Sequence, residues 1–168
     1  MRDALIGLGA NLGDAATTLR RALEELDRIP HSALVRASNL YHSAPLDADG
    51  PDYCNAVALM RSALEPQTLL EALQRIEHAH GRLRPPGQRN APRTLDLDLL
   101  WVDGVQLAGP ELTLPHPRLH LRAFVLAPLA DVAPHWRLAD GESALHAAQR
   151  LCAQGQRVRR GPPLRVTD

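Results

Sequence analysis

Leu95-Asp96-Leu97-Asp98-Leu99-Leu100-Trp101-Val102 places leucines and aspartates at alternate positions, which predicts a β-strand with an apolar face and an acidic one. Asp103-Gly104 after it predicts a type I′ hairpin turn leading into Val105-Gln106-Leu107. Upstream, Pro66 opens a helix with Leu69, Leu70, Leu73 and Ile76 on one face and Gly81 past its end. Residues 53–61 and 33–42 predict strands, separated by the turn-rich stretch 43–52. Further back, Asp14 caps a helix with Leu19, Leu23, Leu26 and Ile29 at helical spacing, stopped by Pro30. Residues 3–9 predict a short buried strand. The order is strand, helix, strand, strand, helix, strand. It predicts an α+β protein with a ferredoxin-like βαββαβ core, followed by a C-terminal hairpin and helices near 124–130 and 142–151. Residues 1–154 are expected to form one domain, and 155–168 a flexible tail without a function.

The chain has 168 residues, 45% of them hydrophobic and 23% charged, as expected of a globular protein with one core. No apolar run reaches the roughly 18 residues of a membrane span, and the start does not read as a signal peptide. Cys54 and Cys152 form no C-x-x-C pair, so neither a disulfide framework nor a zinc cluster is expected. A cytoplasmic location follows as the expectation. The balance of 19 basic and 19 acidic residues argues against nucleic-acid binding. All the basic residues are arginines, and the lack of lysine excludes a Walker A loop, a protein-kinase site and Schiff-base chemistry.

Asp96 and Asp98 would lie roughly 6.5–7 Å apart on one strand face. At an effective dielectric near 20 their charges repel by roughly 2–3 kcal/mol. A hard divalent cation relieves that repulsion, magnesium above all, because it accepts a few carboxylates and fills its remaining positions with water and phosphate oxygens. Taken alone, the alternation fits a solvated sheet face better than a metal site. The preceding loop shifts the balance, because Arg82, Arg84, Arg89 and Arg93 fall within residues 82–93 with no acidic residue among them. Guanidinium forks match phosphate oxygens, and polyphosphate chemistry needs cationic donors beside a metal.

Tyr53 and Phe124, two of five aromatic residues, each lie beside a loop and could sandwich a flat heterocycle whose polar edge Asn55 reads. Core packing accounts for either ring equally well, while Trp101 and Trp136 read as packing residues. His116 suits a phosphate donor better than a zinc ligand, because Pro117 interrupts its spacing to His120. Gly7-Leu8-Gly9-Ala10-Asn11-Leu12-Gly13 lacks the dinucleotide-binding spacing, and a tight strand-to-helix turn accounts for it.

With these motifs in this order, the stretch from about Ala4 to Pro134 resembles the 6-hydroxymethyl-7,8-dihydropterin pyrophosphokinases of folate biosynthesis. The resemblance rests on the glycine run, Pro51-Asp52-Tyr53-Cys54-Asn55, Gly81-Arg82-Leu83-Arg84, Pro92-Arg93-Thr94-Leu95-Asp96-Leu97-Asp98, and Leu114-Pro115-His116-Pro117 with Arg122 and Phe124. It implies that Asp96 and Asp98 hold two magnesium ions bridging the phosphates of ATP. It assigns Arg82 and Arg93, with the two aspartates, to catalysis. Gln74, Glu77, Arg84, Arg93, His116 and Arg122 would bind ATP. Tyr53 and Phe124 would enclose the pterin, with Asn55 and the chain at Ser43, Ala44 and Leu46 on its edge. The pterin hydroxymethyl oxygen would attack the β-phosphorus and release AMP, with loops 44–52 and 82–92 closing over a monomeric enzyme. Asn90, the pair Pro85-Pro86, and Pro117 depart from the family pattern. A nucleotidyltransferase would instead release pyrophosphate, and a ligand-binding regulatory module would release nothing.

Overall fold

A computed structural model describes residues 1–44, 52–81 and 94–164. Strand β1 (Arg2–Ala10) leads through Asp14 into helix α1 (Ala15–Asp27). Asp14 Oδ1 accepts the backbone N–H of Thr17 at 3.1 Å, a side-chain cap on one of the helix's open donors. Strands β2 (Ser32–Ala37), β3 (Asn39–Ser43) and β4 (Tyr53–Ser62) follow, then α2 (Pro66–Ala79) and β5 (Asp96–Val102). The chain continues through β6 (Leu107–Ala108), β7 (Thr113–Leu114), a 3-10 turn at Leu119–Leu121, α3 (Ala123–Val132), α4 (Ala144–Ala153) and β8 (Val158–Pro163).

All pairings in the main sheet are antiparallel, in the order β5-β1-β4-β3-β8, with β2 also on β4. The two-residue period of β1 sends Ala4, Ile6, Leu8 and Ala10 into one core with Leu19, Leu23 and Leu26 of α1 and Leu69, Leu73 and Ile76 of α2. The other face sends Leu5, Val57 and Leu100 into a second core beneath α3 and α4, with Leu126, Leu129, Ala147 and Leu151. Helices thus cover both faces of one sheet. No helix among the described residues is long and apolar enough to cross a membrane.

Three sequence expectations change. The extended stretch 33–42 is two strands rather than one, because Ser38 breaks the ladder against β4. Its N–H donates to the Val57 carbonyl at 2.9 Å, and its Oγ accepts the Val57 N–H at 2.9 Å. Asp103-Gly104 does turn the chain, with Val105 N–H on the Val102 carbonyl at 3.1 Å. Positive φ is confined to Gly104, at 73°, whereas a type I′ turn needs it at both central residues. The flanks therefore part, and β6 pairs with β7 instead of β5. Finally, part of the expected tail is ordered: Val158–Pro163 forms β8, with Ser43 opposite Val158 and Asn39 opposite Pro163, while residues 165–168 lie outside the described residues. Proline is tolerated there because β8 is an edge strand.

Ser38→Ala should leave the buried Val57 N–H without its acceptor and destabilise the protein by about 1–3 kcal/mol, read from denaturant unfolding. Wild-type stability in that variant would show that Ser38 does not carry the junction.

Candidate active site

Pairing register assembles the site. β1 lies between β5 and β4, and it sets Gly9 opposite Asp96 on one side and Asn55 on the other. Two residues back, Gly7 stands opposite Asp98 and Val57. Because side chains alternate, Asp96 and Asp98 share the sheet face that carries Leu100, while Leu97 and Leu99 enter the opposite core. Helices α3 and α4 cover the Leu5, Val57 and Leu100 part of this face, and beyond them the strands floor an open cleft.

The cleft has a volume of about 560 Å³. Its walls bring together Asp96 and Asp98 from β5, Tyr53 and Asn55 from β4, and Ser43 and Ala44 at the end of β3. His116, Arg122 and Phe124 close it from the segment that enters α3. Gly7 and Gly9 form the floor between the acidic and aromatic sides. A Cβ on Gly9 would come within 3.3 Å of Asn55 Nδ2, and one on Gly7 within 3.4 Å of Leu100. The glycine run is therefore more than a turn: Gly13, with φ 60°, makes the turn, whereas Gly7 and Gly9 clear the floor. Alternate glycines inside a predicted strand were the available signal, since such glycines mark close approach of a ligand.

Polar contacts orient several of these groups. Ser43 Oγ donates to Asn55 Oδ1 at 2.6 Å, with both residues buried. Arg118 N–H donates to His116 Nδ1 at 3.2 Å, which leaves Nε2 as the ring N–H of the neutral imidazole. Burial lowers the His116 pKa below its ordinary value, and the nearby Asp98 charge opposes that shift. Arg122 is lowered by burial too, again opposed by Asp98, and its guanidinium lies 5.6 Å from the Phe124 ring centroid. A guanidinium stays protonated across the neutral range, so Arg122 keeps its charge. Asp98 is thus electrostatically joined to both His116 and Arg122 across the cleft.

Gln74 and Glu77 are placed differently from the cleft residues. Gln74 is exposed on α2, and neither residue lines the cleft. Glu77 is buried, and its Oε2 accepts the N–H of Leu97 at 2.9 Å, so it holds β5 at the residue between the two aspartates. Trp101 and Trp136 meet edge to face at 6.4 Å in the second core, as packing residues. The remaining sequence candidates, Leu46, Arg82, Arg84, Arg89 and Arg93, lie outside the described residues, as do Pro85, Pro86 and Asn90. Among the described residues no three His, Cys, Asp or Glu side chains cluster as a metal cage. A divalent ion at Asp96 and Asp98 would complete its shell with water and substrate oxygens, as magnesium does at phosphate sites.

A family profile described as 7,8-dihydro-6-hydroxymethylpterin-pyrophosphokinase matches residues 5–134. Over 149 residues the chain is 46% identical to the 2-amino-4-hydroxy-6-hydroxymethyldihydropteridine pyrophosphokinase of Pseudomonas aeruginosa, spanning 88% of this chain and 89% of that one. With the Haemophilus influenzae protein of the same name it shares 42% identity over 134 residues, 79% of this chain and 82% of that one. Among solved structures, a crystal structure of HPPK-DHPS in complex with substrates has a TM-score of 0.71 at 12% identity. It covers 92% of this chain and 46% of that one, so the chain spans just under half the length of the solved protein. Plasmodium falciparum HPPK-DHPS with pteroate gives 0.72 at 11% identity, over 91% and 45% of the two chains. At such identities the structural likeness is one of fold.

Gly9→Val should leave the fold in place by circular dichroism and weaken binding of the expected pterin by about tenfold or more, since branched carbons would fill the floor. Undiminished binding would mean that no flat ligand sits over β1.

Proposed function

The chain belongs to the 7,8-dihydro-6-hydroxymethylpterin-pyrophosphokinase family and is an ATP-dependent pyrophosphokinase, and from that premise we propose how its own residues carry the reaction. The β- and γ-phosphoryl groups of ATP pass together to the hydroxymethyl oxygen of 6-hydroxymethyl-7,8-dihydropterin. The oxygen forms a bond to the β-phosphorus, the bond to the AMP oxygen breaks, and the hydroxyl proton is lost. This step belongs to folate biosynthesis, in keeping with the folate-synthesis proteins of Arabidopsis thaliana and Pisum sativum that the chain also matches. The observation that carries the reading is the pairing register itself: two aspartates, two bare glycines and an asparagine lie side by side across three strands.

In this reading the pterin lies over Gly9 between Tyr53 and Phe124, with its polar edge toward Asn55 and the chain at Ser43, Ala44 and Leu46. Ring faces are recognised by stacking and apolar contact, and the edge by hydrogen bonds. The triphosphate lies toward Asp96 and Asp98. Two magnesium ions held there would supply charge neutralisation and phosphate positioning. His116, as a neutral Nε2–H donor, and Arg122, as a permanent cation, bind phosphate oxygens where negative charge accumulates. Arg82, Arg84 and Arg93 add the further cationic donors, and Arg82 and Arg93 act with the aspartates in catalysis. Gln74 and Glu77 belong to the nucleotide side, with Glu77 acting through β5. The fold that supports this is read as a ferredoxin-like βαββαβ core carrying C-terminal additions, acting as a cytoplasmic monomer.

Incubated with ATP, magnesium and the pterin, the protein should release AMP in equal amount to the pterin diphosphate, and form no AMP when either magnesium or the pterin is left out. Pyrophosphate as the product would instead identify a nucleotidyltransferase. Asp96→Ala and Asp98→Ala should each lower turnover by about a thousandfold or more while keeping the fold, because a metal ligand and its charge are removed. Full activity in both variants would refute the assignment of the acidic pair.

A further inference from the structure

We infer that Gln156, in the turn between α4 and β8, is a positioning residue for Arg122: its side-chain amide grips the backbone on both sides of Arg122 and so fixes where the guanidinium starts from. This rests on the proposed role of Arg122 as a phosphate donor and adds the group that holds it in place.

Arg122 stands where the 3-10 turn at Leu119–Leu121 passes into α3, with φ −125° and ψ 105°. The first N–H groups of a helix have no partner within it, and Arg122 supplies no side-chain cap bond to α3. Gln156 supplies one from elsewhere in the chain. Its Oε1 accepts the Ala123 N–H at 2.9 Å, and its Nε2 donates to the Leu121 carbonyl at 2.8 Å. Those two groups belong to the peptide units immediately after and before Arg122. Peptide units are planar, so one amide fixes both planes between which the Arg122 side chain departs. The partners also decide which way the amide lies, because an N–H needs its oxygen and a carbonyl needs its nitrogen.

Gln156 is itself anchored. Helix α4 ends in a Schellman turn, with the Gln156 N–H on the Leu151 carbonyl and the Gly155 N–H on the Cys152 carbonyl, both at 3.1 Å. Gly155 makes that turn with φ 112°. Leu151 is buried in the core that α4 shares with α3, and Val158, two residues past Gln156, pairs with Ser43. The clamp thus joins the cleft to a stretch of chain beyond the matched residues 5–134. A long arginine stem loses freedom when its head binds an anion. A fixed backbone, with the Phe124 ring 5.6 Å from the guanidinium, leaves less to order on binding. Gln156 does not line the cleft, so its influence on a bound triphosphate passes through the residues it holds.

The test is a double-mutant cycle on the full chain, read by titration calorimetry as affinity for a magnesium-bound non-hydrolysable ATP analogue without pterin. Gln156→Met keeps the length of the side chain and removes both hydrogen-bonding groups. It should weaken binding by about three- to tenfold, the coupling usual within one hydrogen-bonded network. In an Arg122→Ala background the same substitution should change affinity by less than about twofold, because the group it positions is gone. A residue that only stabilised the fold would lower affinity by the same factor in both backgrounds. That result, or unchanged affinity in Gln156→Met alone, overturns the inference. If the methionine variant does not fold, Gln156→Asn, with the same amide one carbon closer to the chain, carries the cycle and should give the same pattern with a smaller loss. Arg122→Ala binding as tightly as wild type would instead remove the proposed phosphate role of Arg122, and the inference with it.

Discussion

Pairing between β1 and β5 is the constraint on which the site depends. It sets Asp96 against Gly9 and Asp98 against Gly7, so two carboxylates stand beside two residues with no side chains. Packing gains nothing from such an arrangement. Like charges on neighbouring same-face positions repel, and glycines within a strand forgo side-chain burial and cost conformational entropy. The rest of the sheet supplies the stability, through a core beneath α1 and α2 and a second beneath α3 and α4. Local cost placed where a ligand can offset it is the usual physical mark of a working site.

Supports around the acidic pair follow the same logic. Glu77, buried on α2, accepts the Leu97 N–H and so holds β5 between its two aspartates. On the opposite wall, Asp131 of α3 accepts the Tyr41 hydroxyl at 3.0 Å and the Asn39 N–H at 3.2 Å, which ties the helix bordering the cleft to β3. Arg160 of β8 reaches the same carboxylate at 3.7 Å, so the C-terminal strand joins that wall. Burial and the adjoining Asp131 carboxylate raise the Tyr41 pKa, which keeps its hydroxyl a donor across the neutral range.

Much of this was legible in the residues. Alternating leucine and aspartate fixed the nature of β5, Asp14 and Pro66 marked the helix starts, and the acidic pair with Asn55, Tyr53, His116, Arg122 and Phe124 could be named as candidates from type and position. What one chain's periodicity cannot carry is register between strands. Gly7 and Gly9 fall within the predicted strand 3–9, but only the pairing of β1 on both sides sets them between the acidic and amide positions. The division at Ser38 depends on one hydroxyl replacing a ladder acceptor. Strand β8 was missed because Val158-Arg159-Arg160-Gly161-Pro162-Pro163 has the composition of a loose tail, and only its place on the sheet edge makes it a strand.

The most direct measurement is a crystal structure of the full chain with magnesium, a non-hydrolysable ATP analogue and 6-hydroxymethylpterin. Metal density should be coordinated by the carboxylates of Asp96 and Asp98, with phosphate oxygens completing the shell and the heterocycle over Gly9, its polar edge toward Asn55. Metal and triphosphate bound elsewhere, with that carboxylate pair in contact with water alone, would contradict the assignment.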